Sequence, residues 1–440
     1  MEVKEPSAKY RIEASLQETE VGLLPQDWQV IHLSTRAEIQ SGIAKSANAT
    51  LRDPTTVPYL RVANVQDGYL DLTEVSTIDI ERGDLSRYAV LHGDVLMNEG
   101  GDLDKLGRGA IWSGQVNPCV HQNHVFVVRC KGGLVPEYLN AWISGAQARR
   151  YFMLAGRQTT NLASINKTSL GDLTIAVPPT EVEQQDIAKA LTDADALIDS
   201  LEQLLTKKRQ IKQGAMQELL TGKRRLPGFD GDWEVVELRQ LGRCVRGVAY
   251  NPSTDLSEGD GEQTIRLLRS NNVQSGEIVR TGLQFVDQRR VRVDQYLQIG
   301  DLLLCMANGS RELVGKAGRY LAEDEHRYTF GAFMGCYRTD TETVDPAFVS
   351  FHFQTHAFRQ HIDLLLAGSS INNLRPEGVL SFSINIPKDH VEQCAIAEVL
   401  TGFVSDLTAL KSRLTKARAL KQAMAQALLT GRIRLVEPKA

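Results

Sequence analysis

Apolar and polar positions follow two rhythms along this chain. Runs such as Tyr59–Val65, Asp94–Met97 and His124–Val128 are short, apolar or β-branched, and set between Gly, Asn and Asp turns, which predicts strands. Stretches near Pro136–Arg150 and Pro346–Ile362 place apolar residues at helical spacing and predict amphipathic helices. Two longer tracts keep a period of 3.5. The first runs Ile187, Leu191, Ala194, Ile198, Leu201, Leu205, Lys208, Lys212, Ala215, Leu219; the second runs Ile396, Leu400, Phe403, Leu407, Leu410, Leu414, Ala417, Lys421, Met424, Leu428. A seam kept for about 40 residues, roughly 60 Å of helix, predicts two long helices paired as a coiled coil. Thr180 with Glu183 and Asp389 with Glu392 are N-cap signatures, and Gly222 and Gly431 stand at C-cap positions. The lysines in both seams predict loosened pairing there, or cover by another protein.

These tracts belong to an internal repeat. KQGAMQELLTGKRRL from Lys212 returns as KQAMAQALLTGRIRL from Lys421, 209 residues later, and Glu183-Gln184 returns as Glu392-Gln393 at the same spacing. With small drifts, DWQVIHL from Asp27 pairs with DWEVVEL from Asp232, and LRVANVQDG from Leu60 with LRSNNVQSG from Leu268. Matches in one order along the chain mean duplication: a mixed α/β region followed by a long helix, twice. The simplest closed arrangement brings the C-terminus back beside residues 22–28.

Composition narrows the class. The 440 residues carry 50 Lys and Arg against 54 Asp and Glu, net −4, with 42% hydrophobic residues, as in globular domains rather than disordered ones. No uninterrupted apolar run reaches membrane-spanning length and the N-terminus lacks a signal-like apolar stretch, so a cytoplasmic location is expected. The six cysteines form no C-x-x-C pair, which argues against structural zinc or a disulfide framework.

Catalytic signatures are missing. Gly309 to Lys316 resembles a phosphate loop, but five residues separate its glycines and Ala317 follows the lysine. His121-x-x-His124 and His352, His356 and His361 lack the acidic or cysteine company that metal binding needs. No G-x-S-x-G elbow or dinucleotide-binding glycine motif occurs, and Asn117-Pro118 and Asn251-Pro252 do not extend to a methyltransferase motif. Diverged twin domains on a fixed spacer suit a binding ruler, for which DNA is the natural ligand. The candidate DNA-binding residues are Arg36, Lys45, Arg52, Arg61, Asn64, Arg108, Gln122, Asn123, Arg157, Gln158, Thr159 and Asn161 in the first copy. In the second they are Arg246, Arg269, Asn271, Arg311, Lys316, Asn372, Asn373 and Arg375. These are types that read base edges or hold phosphates. The alternative is a non-catalytic scaffold whose duplicated domains bind proteins.

In these motifs, together with TEVGLLPQDWQV at 19–30, RLPGFDGDWEV at 225–235 and GRQTTNLASINKTSLGDLTIAVPP at 156–179, the chain resembles the specificity subunit of type I restriction–modification systems. The resemblance implies an α+β protein: two similar α/β target-recognition domains separated by two long antiparallel coiled-coil helices, with pseudo-twofold repetition. The expected segments are an N-terminal extension (1–20), recognition domain 1 (21–179), spacer helix 1 (180–222), recognition domain 2 (223–388), spacer helix 2 (389–431) and a tail returning toward the N-terminus (432–440). It further implies a non-catalytic subunit that reads a split, asymmetric site in double-stranded DNA. Two adenine-N6 methyltransferase subunits and restriction/translocase subunits would dock on it, with S-adenosylmethionine, ATP and magnesium held by those partners and no cofactor or metal in this chain.

Overall fold

The structure, a computed structural model, describes residues 10–12, 15–45, 51–103, 106–158, 163–274, 276–321, 324–367 and 372–435. It is mixed α/β and divides into two compact units: residues 1–202 with 413–440, and residues 203–412. This division cuts both long helices, Glu181–Leu219 and His390–Leu429, near their middles. Each unit therefore owns the start of one long helix and the end of the other.

In unit 1, strands Gly109–Ile111, Val95–Asn98, Val125–Cys130 and Ala37–Ser41 form an antiparallel sheet. A second sheet joins Val120–His121, Pro54–Leu60 and Ser76–Glu81. Unit 2 repeats the plan with added edge strands: six strands around Leu302–Cys305 and Met334–Thr339, and four around Thr264–Leu268. Val95–Asn98 and Leu302–Cys305 are buried at every position, as expected of strands covered on both faces. A two-stranded ribbon in each unit, Gln29–His32 with Thr174–Val177 and Trp233–Glu237 with Ser383–Pro387, leads into a long helix.

The long helices start and stop where the sequence signals stand. The Glu183 amide donates to Thr180 Oγ1 (3.2 Å) and the Val391 amide to Asp389 Oδ1 (2.9 Å). Gly222 and Gly431 end the helices with positive φ. In unit 1, Ile187 and Leu191 share a core with Leu428 and Leu429; in unit 2, Met216 and Leu219 share one with Ile396 and Leu400. In each unit, then, the two segments run antiparallel. The remaining seam residues Ile198, Leu201, Leu205, Leu407, Leu410 and Leu414 are buried, and Phe403 is half-buried.

Several expectations change. The seam lysines are engaged within their own unit rather than waiting for cover: Lys208 pairs with Asp406 (2.8 Å), Lys421 with Asp195, and Lys212 donates to Gln354. The two amphipathic stretches are each broken into two helices, Pro136–Ile143 with Ala146–Ala155 and Pro346–His352 with His356–Leu365. The strand read through Val65 ends at Leu60, and Val62–Asn64 turns into 3₁₀ helix. Within the segment expected as an N-terminal extension, Leu16–Thr19 pairs with Gly22–Pro25 and Tyr10–Ile12 with Ile433–Leu435. A window of the helix His390–Leu429 reaches mean hydropathy 1.2, enough by length and composition to cross a membrane, although no uninterrupted apolar run is that long. Its residues Ile396, Ala397 and Leu400 lie in the unit 2 core, an ordinary reason for such a stretch.

Buried ion pairs close each unit. Arg434, past the end of the second long helix, forks onto Glu183 (2.6 and 2.7 Å) and also reaches Asp27 (2.8 Å). Arg225, at the equivalent repeat position, forks onto Glu392 (2.5 and 2.7 Å). Replacing Arg434 with Met strands two carboxylates, one of them buried, and should cost about 3 kcal/mol; thermal unfolding reads this, and adding Glu183→Gln should restore part of the loss. A second expectation concerns His352, which occupies in unit 2 the place of Trp142. Burial pushes its imidazole down to about 3. The unfolded chain protonates near 6.5, so between those values it binds one more proton than the folded one. Stability is therefore full above pH 6.5 and falls as pH drops, by up to about 1.4 kcal/mol per unit. The variant His352→Leu should show a shallower acid decline in melting temperature than the parent.

Candidate nucleic-acid interface

One close approach gathers the loops of each unit. A Cβ on Gly42 would lie 2.1 Å from the His121 carbonyl oxygen, and one on Gly247 2.0 Å from that of Gly331. Glycine at these equivalent positions lets one sheet's backbone touch the other's, and Ile43 bridges to Gln122 as Val248 does to Gly331. The segment after the first sheet's strand thus meets the loop after the second's. The turns that follow Leu60 and Leu268 come to the same place: the Gln122 amide donates to the Leu60 carbonyl and the Gly331 amide to that of Leu268.

Those turns hold an arginine on an asparagine. The Arg61 amide donates to Asn64 Oδ1 (2.9 Å), while Asn64 Nδ2 donates to the carbonyls of Asp71 (2.8 Å) and Glu74 (2.9 Å). Unit 2 repeats this bond for bond: Arg269 to Asn272 Oδ1, and Asn272 Nδ2 to Val279 and Thr281. Both asparagines are buried with both amide protons used. Asn64 is therefore not a base reader, contrary to the sequence expectation; it positions Arg61. The Nε atoms of Arg61, Arg269 and Arg108 are buried and lack a hydrogen-bond partner among the described residues. At its outer end the Arg61 guanidinium approaches Glu74 (3.5 Å), and that of Arg269 the Gly282 carbonyl (3.4 Å).

In unit 1, Gln122 and Arg108 join Arg61. The Val62 amide donates to Gln122 Oε1 (3.4 Å), and Asn98, whose backbone pairs with Arg108, donates from Nδ2 to the Val65 carbonyl (2.8 Å). Asn123 lies beside His124, whose Nδ1 meets Glu99 Oε2 at 2.6 Å. Strand Arg157–Gln158 pairs with Ala163–Ser164, which pairs with Gly100–Gly101, so it reaches this edge. Thr159 and Asn161 lie outside the described residues. In unit 2, Arg269, Asn271 and Asn372 line a cleft of about 1110 Å³ with Tyr250, Asn308 and Phe333.

Other expected residues fall elsewhere. Arg36 sits at the opposite end of Ala37–Ser41, donating to Gly132 and Gln29. Arg52 precedes Pro54–Leu60, a strand's length of roughly 20 Å from Arg61, and its amide is held by Glu81. Lys45 shares a hollow with Asp79, Glu81 and Asp84, carboxylates that oppose a phosphate. Arg246 and Asn373 meet each other, the guanidinium also donating to the Leu374 carbonyl (2.9 Å). Arg311 donates to the Asp363 carbonyl. Lys316 and Arg375 stand outside the cleft lining. Among the histidines, His121 is buried and its imidazole is held low by that burial. No group of three potential metal ligands exists among the described residues.

Sequence reasoning missed Tyr250, Asn308 and Phe333. The repeat held the signal, because Gln122-Asn123-His124 and Gly331-Ala332-Phe333 occupy the same turn. The second triplet escaped because none of its residues reads a base edge.

Residues 25–213 match the family described as type I restriction modification DNA specificity domain. The chain is 25% identical to the putative type I restriction enzyme MjaX specificity subunit of Methanocaldococcus jannaschii, across 96% of this chain and 97% of that one. To the StySPI specificity subunit of Salmonella potsdam it is 28% identical, over 46% of this chain and 42% of the relative. Its fold is similar to the crystal structure of the type I restriction–modification S subunit from M. genitalium, with TM-score 0.58, 11% identity and coverage of 96% and 98%. Residues 25–213 are thus similar to a type I restriction–modification DNA specificity domain, and nearly the whole chain is similar to a putative specificity subunit of such a system.

Proposed function

We propose that this subunit reads a split, asymmetric site in double-stranded DNA, one half with each unit's loop cluster, and catalyses nothing itself. The observation that carries this is the duplicated arginine whose backbone is held on a buried asparagine, Arg61 on Asn64 and Arg269 on Asn272, at matching edges of the two units. A bidentate guanidinium reads guanine or grips phosphate, and loops around it that differ between the copies suit two different half-sites. The long helices, shared by both units, set the unread spacer. They dock two adenine-N6 methyltransferase subunits, and restriction/translocase subunits join in the cytoplasm. S-adenosylmethionine, ATP and magnesium are bound by those partners, and the target adenine is flipped into the methyltransferase.

Two experiments test this. Four residues inserted after Leu205 and four after Leu410 lengthen each helix by about 6 Å, close to two base-pair steps. Methylome sequencing should return both half-sequences with a longer spacer; an unchanged spacer rejects the ruler. Separately, Arg61→Ala and Arg269→Ala should each weaken binding by roughly 1–3 kcal/mol and relax one half-site only, a different one in each variant. Equal relaxation of both halves by one variant, or no sequence-selective binding by the parent complex, refutes the assignment of one half-site to each unit.

A further inference from the structure

Phe333 is 71% exposed, in a chain whose other phenylalanines in that unit are largely buried. It lies in a turn, Gly331–Phe333, that is held on both flanks. Its carbonyl accepts from the amides of Met306 (2.8 Å) and Ala307 (3.1 Å), and the Met334 amide donates to the Gly331 carbonyl (2.8 Å). Phe330 and Met334 on either side are buried in the core. The backbone is thus fixed while the ring is presented to solvent. Arg269, Asn271, Asn308 and Asn372 line the same cleft, as does Tyr250, whose ring lies beside Gly331 of this turn. A rigid aromatic face among base-reading side chains gains little by staying in water and much by covering another flat apolar surface.

The equivalent position in unit 1 makes a different choice. There His124 is tied to Glu99, and Glu99 occupies the place of Met306. One unit ends this turn in a carboxylate-bound imidazole, the other in an unpaired hydrocarbon ring. The feature is therefore not a requirement of the shared fold.

We propose that Phe333 is a stacking wedge: on DNA binding its ring slides against a base step in the half-site that unit 2 reads, opening that step while Arg269 and Asn271 contact the adjoining edges. Apolar side chains inserted at base steps unstack them, and any base offers a face to an aromatic ring. This inference rests on the DNA-reading role proposed above. It makes unit 2, and not unit 1, sensitive to how easily its half-site unstacks.

The test uses the full chain in complex with its methyltransferase and duplexes carrying 2-aminopurine at successive positions of the methylome-defined site. The parent and Phe333→Trp should raise 2-aminopurine emission at one step in one half-site. Phe333→Ala should bind about tenfold more weakly and lose that rise, with an unchanged melting temperature and unchanged selectivity at the other half-site. Selective binding by the parent together with alanine-variant affinity within about twofold and the same emission rise overturns the wedge and leaves the DNA-reading role standing. Loss of methyltransferase assembly in Phe333→Ala, with DNA affinity intact, overturns it in favour of a protein contact. A parent complex without sequence-selective binding removes both.

Discussion

A single kind of contact decides whether either unit is complete: an arginine just beyond one long helix forked onto a glutamate in the first turn of the other. Glu183 and Glu392 are both almost fully buried, so each needs its guanidinium. The pairing fixes which helix end belongs in which core. Leu428 and Leu429 then fill unit 1 beside Ile187, and Met216 and Leu219 fill unit 2 beside Ile396. Neither mixed region has a finished core from its own half of the sequence, since each takes in a helix end from the other copy. The first copy's arginine serves the second unit, and the second copy's serves the first.

What the sequence made legible was what short-range chemistry controls. The repeat, the caps at Thr180 and Asp389, the glycines at 222 and 431 and the leucine seam all follow from local rules. What stayed hidden depends on partners distant in sequence. Asn64 looks like a base reader until its amide is seen to be consumed by Asp71 and Glu74. The seam lysines look unsatisfied until Asp406 and Asp195 appear opposite them. The break at Ser144–Gly145 was missed because apolar spacing continues through it. Gly145 is where the chain passes close to Leu429, a residue almost three hundred positions away.

The copies differ where differences are cheap to the fold. Trp142 donates its indole proton to the Thr174 carbonyl (3.2 Å), whereas His352 in the same place leaves a ring nitrogen without a partner among the described residues. His124 and Phe333 differ more sharply still, at an edge where no core depends on them. By contrast Gly42 and Gly247 are the same residue under the same crowding, since any side chain there would part the two sheets. The units have thus diverged in these loop edges while keeping the contact that gathers the loops within each unit.

The asparagine beneath each arginine has a consequence for how these turns can vary. Its bonds run to backbone atoms alone, so the arginine's place is independent of the side chains between them, Val62 and Ala63 in one turn, Ser270 and Asn271 in the other. Val62 packs against the core beneath the turn, but the exposed positions Ala63 and Asn271 can change without moving the arginine. If these turns read DNA as proposed, substitution at such positions changes what lies beside a stationary cation, and a new target can be reached by small steps that each leave a foldable protein.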